Sequence, residues 1–366
     1  MERILVYGMT DNPGGIESYL LEMSMKMKNY GIQFDFVSDF PTVAYADKLK
    51  QNGSRLYFIP AKGKKLFTHL GAMRKLLRDH PEYQTLYFNI LDAGAAITVS
   101  VPWLMRKKIV VHSHNGSTEK VCLHRMCRPF LNMMTDQRAA CSWLAAKYMF
   151  GKSVTEDKSI LIVPNTIDAE KYDFNEAIRK RYRKEMGLEG NYVVCHVGRM
   201  TEQKNPYRLI DIFSALYECQ ENVVLLYAGT GELKDEVEAY GRKQKCADRI
   251  RFLGVRSDIS ELMQASDVFL LPSLYEGLPI VAIEAQTAGL PLVLSDRITK
   301  ETDLTGNIEF ISLDRENRFW AEQILKYRCF ERNGCREKIR AAGYDKGSIT
   351  ETLKKLVDFF GGNNCE

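Results

Sequence analysis

Two glutamates eight positions apart are the residues of this chain best suited to bind a hydroxylated ligand. Glu276 and Glu284 follow an apolar run at 267–271 that predicts a strand ending just before them. A carboxylate accepts hydrogen bonds from vicinal hydroxyls, so one glutamate can bind a sugar and the other a ribose. The alternative, left open by the spacing alone, is an ordinary strand–loop–helix with two solvated glutamates.

The turn between these glutamates carries the signal for an anion site. Pro279 is well suited to a first helical turn, and Gly277 and Leu278 precede it. Free backbone amides at such a helix start face outward with the positive end of the helix dipole. Amides for a phosphate beside carboxylates for hydroxyls would suit a nucleotide sugar.

A second loop offers cations. Gly198 follows a predicted strand, Arg199 and Lys204 come next, and Pro206 marks a helix start. Arginine presents a fork of donors and lysine a compact charge, and both can neutralise a diphosphate leaving group. The competing interpretation is two exposed basic residues in a loop.

The first half of the chain contributes a histidine pair and a glycine pair. His112 and His114 alternate at a predicted strand end and should point to the same side, where they are either structural or face a ligand. Gly14 and Gly15 lie between the first strand and helix, where backbone amides can approach a ligand closely. The G-x-G-x-x-G fingerprint is absent after Gly8, which disfavours dinucleotide binding.

Composition and cysteine content indicate a cytoplasmic globular enzyme. The chain has 366 residues, 45% hydrophobic and 27% charged, with a net charge of only +4, which does not favour nucleic acid as a partner. Nine cysteines without paired spacing indicate reduced thiols. Cys122, His124 and Cys127 lack the second cluster that a zinc site needs, so no metal is expected. Basic clusters in the first half leave attraction to an anionic leaflet open beside the plainer alternative of solvated surface.

Strand-like and helix-like segments alternate along the chain. This pattern predicts an α/β fold with two tandem, doubly wound, mainly parallel domains. We expect a first domain at 1–165, a second at 166–345, and a C-terminal helix within 346–366 that packs back towards the first domain. Ligands of such domains bind at the carboxyl ends of the strands, so the expected active site is the interdomain cleft.

These motifs together resemble the retaining GT-B glycosyltransferases of family 4, also called group 1 glycosyl transferases. Glu276–Glu284 resembles that family's E-x(7)-E element and 198–204 its G-R-x(4)-K element. The segment 163–168 resembles P-N-G-I-D, with Thr166 in place of glycine. The regions around Gly14 and His114 are most similar to the branch that builds capsular and exopolysaccharides. Asn205 stands where glycine often follows the lysine, which puts the loop geometry in question.

The resemblance implies a role for each residue. Glu284 would bind the ribose hydroxyls and Glu276 the donor hexose, while the amides at 277–278 bind a phosphate. Arg199 and Lys204 would bind the diphosphate, and His114 would lie beside the reacting sugar. Backbone groups near Val255 would read the base of a UDP- or GDP-linked donor.

The resemblance further implies a metal-independent hexosyltransferase of polysaccharide biosynthesis that retains the anomeric configuration. Its acceptor would be a saccharide, lipid-linked by expectation, and the enzyme would be cytoplasmic with a possible peripheral contact at the inner membrane face. Two alternatives remain open at this stage. One is a nucleotide-sugar epimerase of the same fold, and the other is a non-catalytic glycan- or nucleotide-binding protein.

Overall fold

The computed structural model describes residues 1–116, 121–151, 159–346 and 350–361. The chain forms two compact units. The first comprises 1–165 with the helix in 350–361, and the second comprises 166–346. Of the C-terminal segment 346–366, residues 347–349 and 362–366 lie outside the described residues.

A seven-stranded parallel sheet forms the centre of the first unit, in the order β3-β2-β1-β4-β5-β6-β7. Its strands are β1 (Glu2–Tyr7), β2 (Ile32–Ser38), β3 (Leu56–Phe58), β4 (Thr85–Ile90), β5 (Lys108–Ser113), β6 (Gln137–Ala140) and β7 (Leu161–Ile162). Its helices, numbered along the chain, are α1 (Gly15–Lys28), α2 (Ala46–Gln51), α3 (Leu66–Asp79), α4 (Ala96–Leu104), α5 (Val121–Met133), α6 (Trp143–Phe150) and α15 (Thr350–Phe360).

Helices cover both faces of this sheet because its strands are apolar on both sides. Leu5 of β1 faces a core that includes residues of α3 to α6, whereas Ile4 and Val6 face a core that includes α1 and α15. Phe360 of α15 packs edge-on against Phe34, with ring centroids 5.9 Å apart. The last helix is therefore part of the first unit's core.

The second unit repeats this plan with six parallel strands in the order β10-β9-β8-β11-β12-β13. Its strands are β8 (Tyr192–Val197), β9 (Val223–Ala228), β10 (Ile250–Gly254), β11 (Val268–Leu271), β12 (Leu292–Ser295) and β13 (Ile308–Ile311). Its helices are α7 (Ala169–Tyr172), α8 (Glu176–Glu185), α9 (Pro206–Cys219), α10 (Lys234–Arg242), α11 (Ile259–Ala265), α12 (Ile280–Thr287), α13 (Asn317–Leu325) and α14 (Arg336–Ala341). The prediction of two doubly wound parallel sheets is confirmed.

Each sheet reverses its strand order at one point, which is where doubly wound folds open a crevice for ligands. In the first unit the reversal lies between β1 and β4, and in the second between β8 and β11. The loop after β8 carries Arg199 and Lys204, and the loop after β11 carries Glu276. Residues far apart in sequence thus meet at one edge.

Glycines allow neighbouring loops to approach closely at these edges. Gly8 has a φ of +114°, and a Cβ atom there would lie 1.9 Å from the carbonyl oxygen of Asn89. Gly229 has a φ of +142°, and its Cβ would lie 1.9 Å from the carbonyl oxygen of Gly198. Only glycine permits both the left-handed φ and the contact.

The strand β6 was not predicted from the sequence, because Gln137 and Arg138 are polar and alanine has little strand preference.

Among the described residues, no helix is long and apolar enough to span a bilayer.

Candidate active site

Lys204 and Glu276 form an ion pair at the strand-order reversal of the second unit. The Lys204 ammonium donates to Glu276 Oε1, and their side chains are only 15% and 9% exposed. The hydroxyl of Ser273 also donates to Oε1, at 2.9 Å, and Gln203 Nε2 lies 3.4 Å from Oε2. The carboxylate of Glu276 is thus held in one orientation by three donors.

Hydrogen bonds at several positions connect the two loops that carry this pair. The amide of Leu274 donates to the carbonyl of Gln203 at 2.9 Å, and Gln203 Nε2 donates to the carbonyl of Tyr275 at 3.0 Å. Asn205 Nδ2 donates to the carbonyl of Pro272 at 3.2 Å. These hydrogen bonds fix the two loops relative to each other.

The backbone at Asn205 explains how asparagine can replace the glycine that often follows the lysine of this motif. It has a φ of 54° and a ψ of 54°, in the left-handed region, directly before Pro206 begins α9. Asparagine tolerates this region better than other non-glycine residues, so it can stand where glycine is common. Thr166 has no positive φ, so its backbone does not require glycine.

Unlike Lys204, Arg199 leaves its cation available to bind a ligand. Its side chain is exposed, and its guanidinium has no hydrogen bond or ion pair to any described residue. Gly198, just before it, would place a Cβ 3.0 Å from His196 Nε2. Burial lowers the pKa of His196 to about 4, so this imidazole is neutral beside the loop.

Glu284 is hydrogen-bonded to Tyr172, a residue that the sequence analysis did not predict to lie at the site. It lies in the second turn of α12, is half-buried, and accepts a hydrogen bond of 2.7 Å at Oε1 from the hydroxyl of Tyr172. Burial raises the pKa of Glu284 to about 7, against the smaller lowering effect of the Tyr172 hydroxyl. One carboxylate oxygen thus remains for a ligand.

The turn before α12 has the features of an anion site. Gly277, Leu278 and Pro279 are buried, and Pro279 caps the helix. The amide of Leu278 donates no hydrogen bond to any described residue. Val255 follows β10 at the same edge of the sheet and is 74% exposed.

In the first unit, the glycine pair lies beside a buried glutamate. Gly14 precedes α1 and Gly15 begins it. Glu17 is 6% exposed and accepts hydrogen bonds from the Thr10 amide at 3.2 Å and hydroxyl at 2.7 Å. A Cβ on Gly14 would lie 2.7 Å from Glu17 Oε2, so a side chain at Gly14 would displace this carboxylate.

The two histidines lie side by side, as their alternation predicted. The ring centroids of His112 and His114 are 4.1 Å apart. His112 Nδ1 lies 2.5 Å from the hydroxyl of Tyr87, and His114 Nε2 lies 2.8 Å from Asn89 Oδ1. Burial lowers the pKa of His114 to about 3, so this imidazole is neutral.

Among the described residues, no cluster of three or more histidine, cysteine or acidic side chains is placed to hold a metal ion. His124 has both ring nitrogens engaged, since Nδ1 accepts from the Ala93 amide at 3.1 Å and Nε2 lies 3.1 Å from the Tyr148 carbonyl.

The structure brings Lys204 into contact with Glu276, and Arg199, Val255 and Glu284 lie in the same unit. Sequence reasoning missed the side chains that support the site, which are Tyr172, Gln203, Ser273 and Asn89. Ser273, two residues after β11, was visible as a polar residue in a strand–loop junction. Tyr172 is 112 residues from Glu284, and no local signal marks it.

Comparison with known proteins defines the class and then the family. The structure of Anabaena Alr3699/HepE in complex with UDP and glucose superposes with a TM-score of 0.79 at 20% identity, covering 98% of this chain and 100% of the other. The fold is accordingly the GT-B fold of glycosyltransferases.

Two relatives identified by sequence and one family model identify the family more specifically than the fold does. The chain is 30% identical over 357 residues to the putative glycosyltransferase EpsF of Bacillus subtilis (strain 168), which covers 91% of this chain and 90% of that protein. It is 39% identical over 145 residues to an Escherichia coli UDP-Gal:alpha-D-GlcNAc-diphosphoundecaprenol alpha-1,3-galactosyltransferase, covering 37% and 36%. The model of Glycosyl transferases group 1 matches residues 178–312. The chain belongs to the group 1 glycosyltransferases.

Proposed function

We propose that this glycosyltransferase is a metal-independent, retaining hexosyltransferase of family 4. It moves a hexose from a UDP- or GDP-linked donor to a saccharide acceptor in capsular, exo- or O-antigen polysaccharide biosynthesis. The observation that carries the proposal is the nearly buried Lys204–Glu276 pair, together with Arg199 in the same loop as Lys204, whose guanidinium has no partner among the described residues.

The contacts support a division of labour among these residues. Glu276 is held in place by Lys204 and Ser273, so its free lone pairs suit hydroxyls of the donor hexose. Arg199 has no hydrogen-bond or ion-pair partner among the described residues, and a diphosphate can supply one. Lys204 contributes positive charge while it keeps Glu276 oriented. Glu284 binds the ribose hydroxyls with the oxygen that Tyr172 leaves available.

The reaction proposed is attack of an acceptor hydroxyl on the anomeric carbon from the face that the diphosphate leaves. The glycosidic bond forms as the bond between the anomeric carbon and phosphate oxygen breaks, and the hydroxyl proton passes to the departing phosphate. Arg199 and Lys204 stabilise the charge that develops on that phosphate. Two side-chain cations can do this without a bound metal, which is the basis for proposing metal independence.

The relatives support the substrate class. The Escherichia coli relative is named for transfer from UDP-Gal to an undecaprenol-diphosphate-linked sugar, and the Bacillus relative is named a glycosyltransferase. By extension, we propose that the acceptor here is lipid-linked and that the enzyme works at the cytoplasmic face of the inner membrane.

The outward face of α5 supports a peripheral membrane contact. Leu123, Met126, Phe130 and Met133 share one side of α5 at helical spacing and are 41%, 71%, 61% and 62% exposed, and α5 contains no acidic residue. The helix α4, which packs on α5, ends in Trp103 and Leu104, 40% and 73% exposed. The exposed cations nearby in sequence are Arg106, Lys108 and Arg125. Arg106, Lys107 and Lys108 line one surface hollow with Trp103 and Leu104, and they outnumber the exposed Asp136 there. An apolar strip with such an excess of cations beside it fits an anionic leaflet, whereas two such strips would repel each other.

Donor screening followed by product analysis tests the enzymatic proposal. Thermal shift with UDP- and GDP-sugars, with and without EDTA, identifies the donor, and NMR of the product reads the anomeric configuration. We expect Arg199→Ala to lower kcat/KM at least tenfold, while the exposed Arg318→Ala leaves it unchanged. Product of inverted configuration, or EDTA-sensitive turnover, would refute the corresponding part. Epimerised donor without acceptor, or binding without product, would support the two alternatives.

Vesicle co-sedimentation tests the membrane contact. We expect binding to vesicles rich in phosphatidylglycerol but not to phosphatidylcholine alone. The double variant Met126→Ser/Phe130→Ser should lose this binding, whereas Phe67→Ser, which changes an 88% exposed phenylalanine of α3, should retain it. Equal binding of both variants would contradict a role for α5.

A further inference from the structure

We propose that Asn89 is a positioning residue that holds His114 in the tautomer with hydrogen on Nε2. The bare Nδ1 of His114 then accepts a hydrogen bond from a sugar hydroxyl of the donor or the acceptor. This inference rests on the proposed function, because it assigns the means by which the first unit recognises a saccharide.

The contact between the two side chains determines where the proton lies. His114 Nε2 is 2.8 Å from Asn89 Oδ1, and with the amide in this orientation its oxygen only accepts, so Nε2 donates. A neutral imidazole has one N–H, which leaves Nδ1 as an acceptor. Burial keeps His114 neutral by lowering its pKa to about 3.

Two polar atoms of this pair have no partner among the described residues. His114 Nδ1 and Asn89 Nδ2 are both buried and make no hydrogen bond there, and their residues are 9% and 2% exposed. A buried polar atom without a hydrogen bond is destabilising, so native proteins rarely keep one without a reason. A ligand hydroxyl that donates to Nδ1 relieves this cost on binding.

The position of Asn89 in the sheet agrees with a role at the ligand edge. Asn89 lies in β4, which borders the strand-order reversal of the first sheet, and it is in register with His112 of β5. On its other side, the backbone of Gly8 approaches the Asn89 carbonyl so closely that a Cβ would not fit. Asn89 is thus held between the loop that leads to Gly14 and the strand that leads to His114.

Imidazole ¹⁵N NMR of histidine-labelled protein tests the tautomer independently of turnover. We expect the His114 signals, assigned with His114→Gln, to show a pyridine-like Nδ1 and a pyrrole-like Nε2. Asn89→Leu should produce a mixture of tautomers, while Asn89→Asp, which keeps an acceptor oxygen, should retain the wild-type tautomer. His124 serves as the internal reference, because the Ala93 amide already fixes its Nδ1 as an acceptor. A protonated Nδ1 in the wild type would overturn the inference.

Steady-state kinetics test whether the tautomer matters for recognition. We expect Asn89→Leu to lower kcat/KM about 10- to 100-fold, the range expected when one buried hydrogen-bonding group is left without its partner. Asn89→Asp should rescue part of this loss, and the melting temperature should be unchanged for both variants. Varying donor and acceptor separately shows which substrate provides the hydroxyl. An altered tautomer with unchanged kinetics would overturn the recognition role. Absence of transfer with every donor would instead refute the proposed function and leave the tautomer result standing.

Discussion

The ammonium of Lys204 and the carboxylate of Glu276 form a nearly buried ion pair between the loops after β8 and β11. Both residues were expected to bind the donor, and neither was expected to bind the other. The pair therefore has a structural role as well as the proposed catalytic one, and a single substitution perturbs both.

A double-substitution cycle separates the two roles. Lys204→Met should lower the free energy of unfolding by about 3 kcal/mol, because it leaves a buried carboxylate without its countercharge. Lys204→Met with Glu276→Leu should recover much of that loss, since no charge then remains buried, yet should stay inactive. Chemical denaturation and turnover of Lys204→Met, Glu276→Leu and the double variant measure this. The exposed pair Arg318–Glu322 is the control, and its Arg318→Ala variant should change stability by less than about 1 kcal/mol. Recovery of activity in the double variant would contradict the proposed role in catalysis.

The raised pKa of Glu284, about 7, predicts a characteristic pH dependence of stability. An unfolded glutamate titrates near ~4.3, so the folded state favours the protonated form. This contribution is fully present below about pH 4.3 and is lost as the pH rises through 7, on the order of 3 kcal/mol in total. Unfolding of the wild type and Glu284→Gln should therefore diverge between pH 5 and 8, with Glu284→Gln relatively more stable at the higher pH. Parallel stability curves would show that the carboxyl titrates normally.

Donor binding should depend on pH in the opposite sense to this stability term. Ribose hydroxyls donate to a carboxylate, so donor affinity should rise as Glu284 ionises towards pH 8. Titration calorimetry of the donor at pH 6 and pH 8 measures the change, and Glu284→Gln should abolish it. A pH-independent affinity in the wild type would argue against a contact between Glu284 and the donor.

Asn205 should tolerate glycine better than alanine. Both variants lose the side-chain hydrogen bond to Pro272, but only alanine has a Cβ, which costs about 1–2 kcal/mol in the left-handed backbone. Asn205→Ala should therefore lower the melting temperature and the donor affinity more than Asn205→Gly does. Thermal unfolding and donor titration compare the two variants. Equal behaviour would show that backbone conformation at this position is unimportant.

Gly229→Ala should be among the most damaging substitutions outside the core. The added Cβ would meet the Gly198 carbonyl at 1.9 Å and disturb the loop that begins with Gly198. The matched control is Gly71→Ala in the middle of α3, where a Cβ meets nothing within 4 Å, and it should stabilise the helix by about 0.5–1 kcal/mol. Soluble yield and thermal unfolding distinguish the two outcomes.

Local patterns predicted those parts of the molecule that depend on short-range physics. Alternating strands and helices predicted the two sheets, and Pro206 predicted the start of α9, because a helix start needs no distant partner. The contact of Tyr172 with Glu284 and that of Asn89 with His114 depend on how strands are ordered in each sheet. A single sequence does not encode that order in any local signal. The strand β6 was not predicted for a related reason, because its pairing with β5 outweighs the weak strand preference of its residues.

The outward face of α5 also carries a native attachment point for a spectroscopic probe. Cys122 is exposed on that helix next to Val121, whereas the exposed Cys219 and Cys329 belong to the second unit. With Cys219, Cys329 and Cys365 changed to serine, a spin label on Cys122 would report its immersion depth through its accessibility to oxygen and to a water-soluble nickel complex.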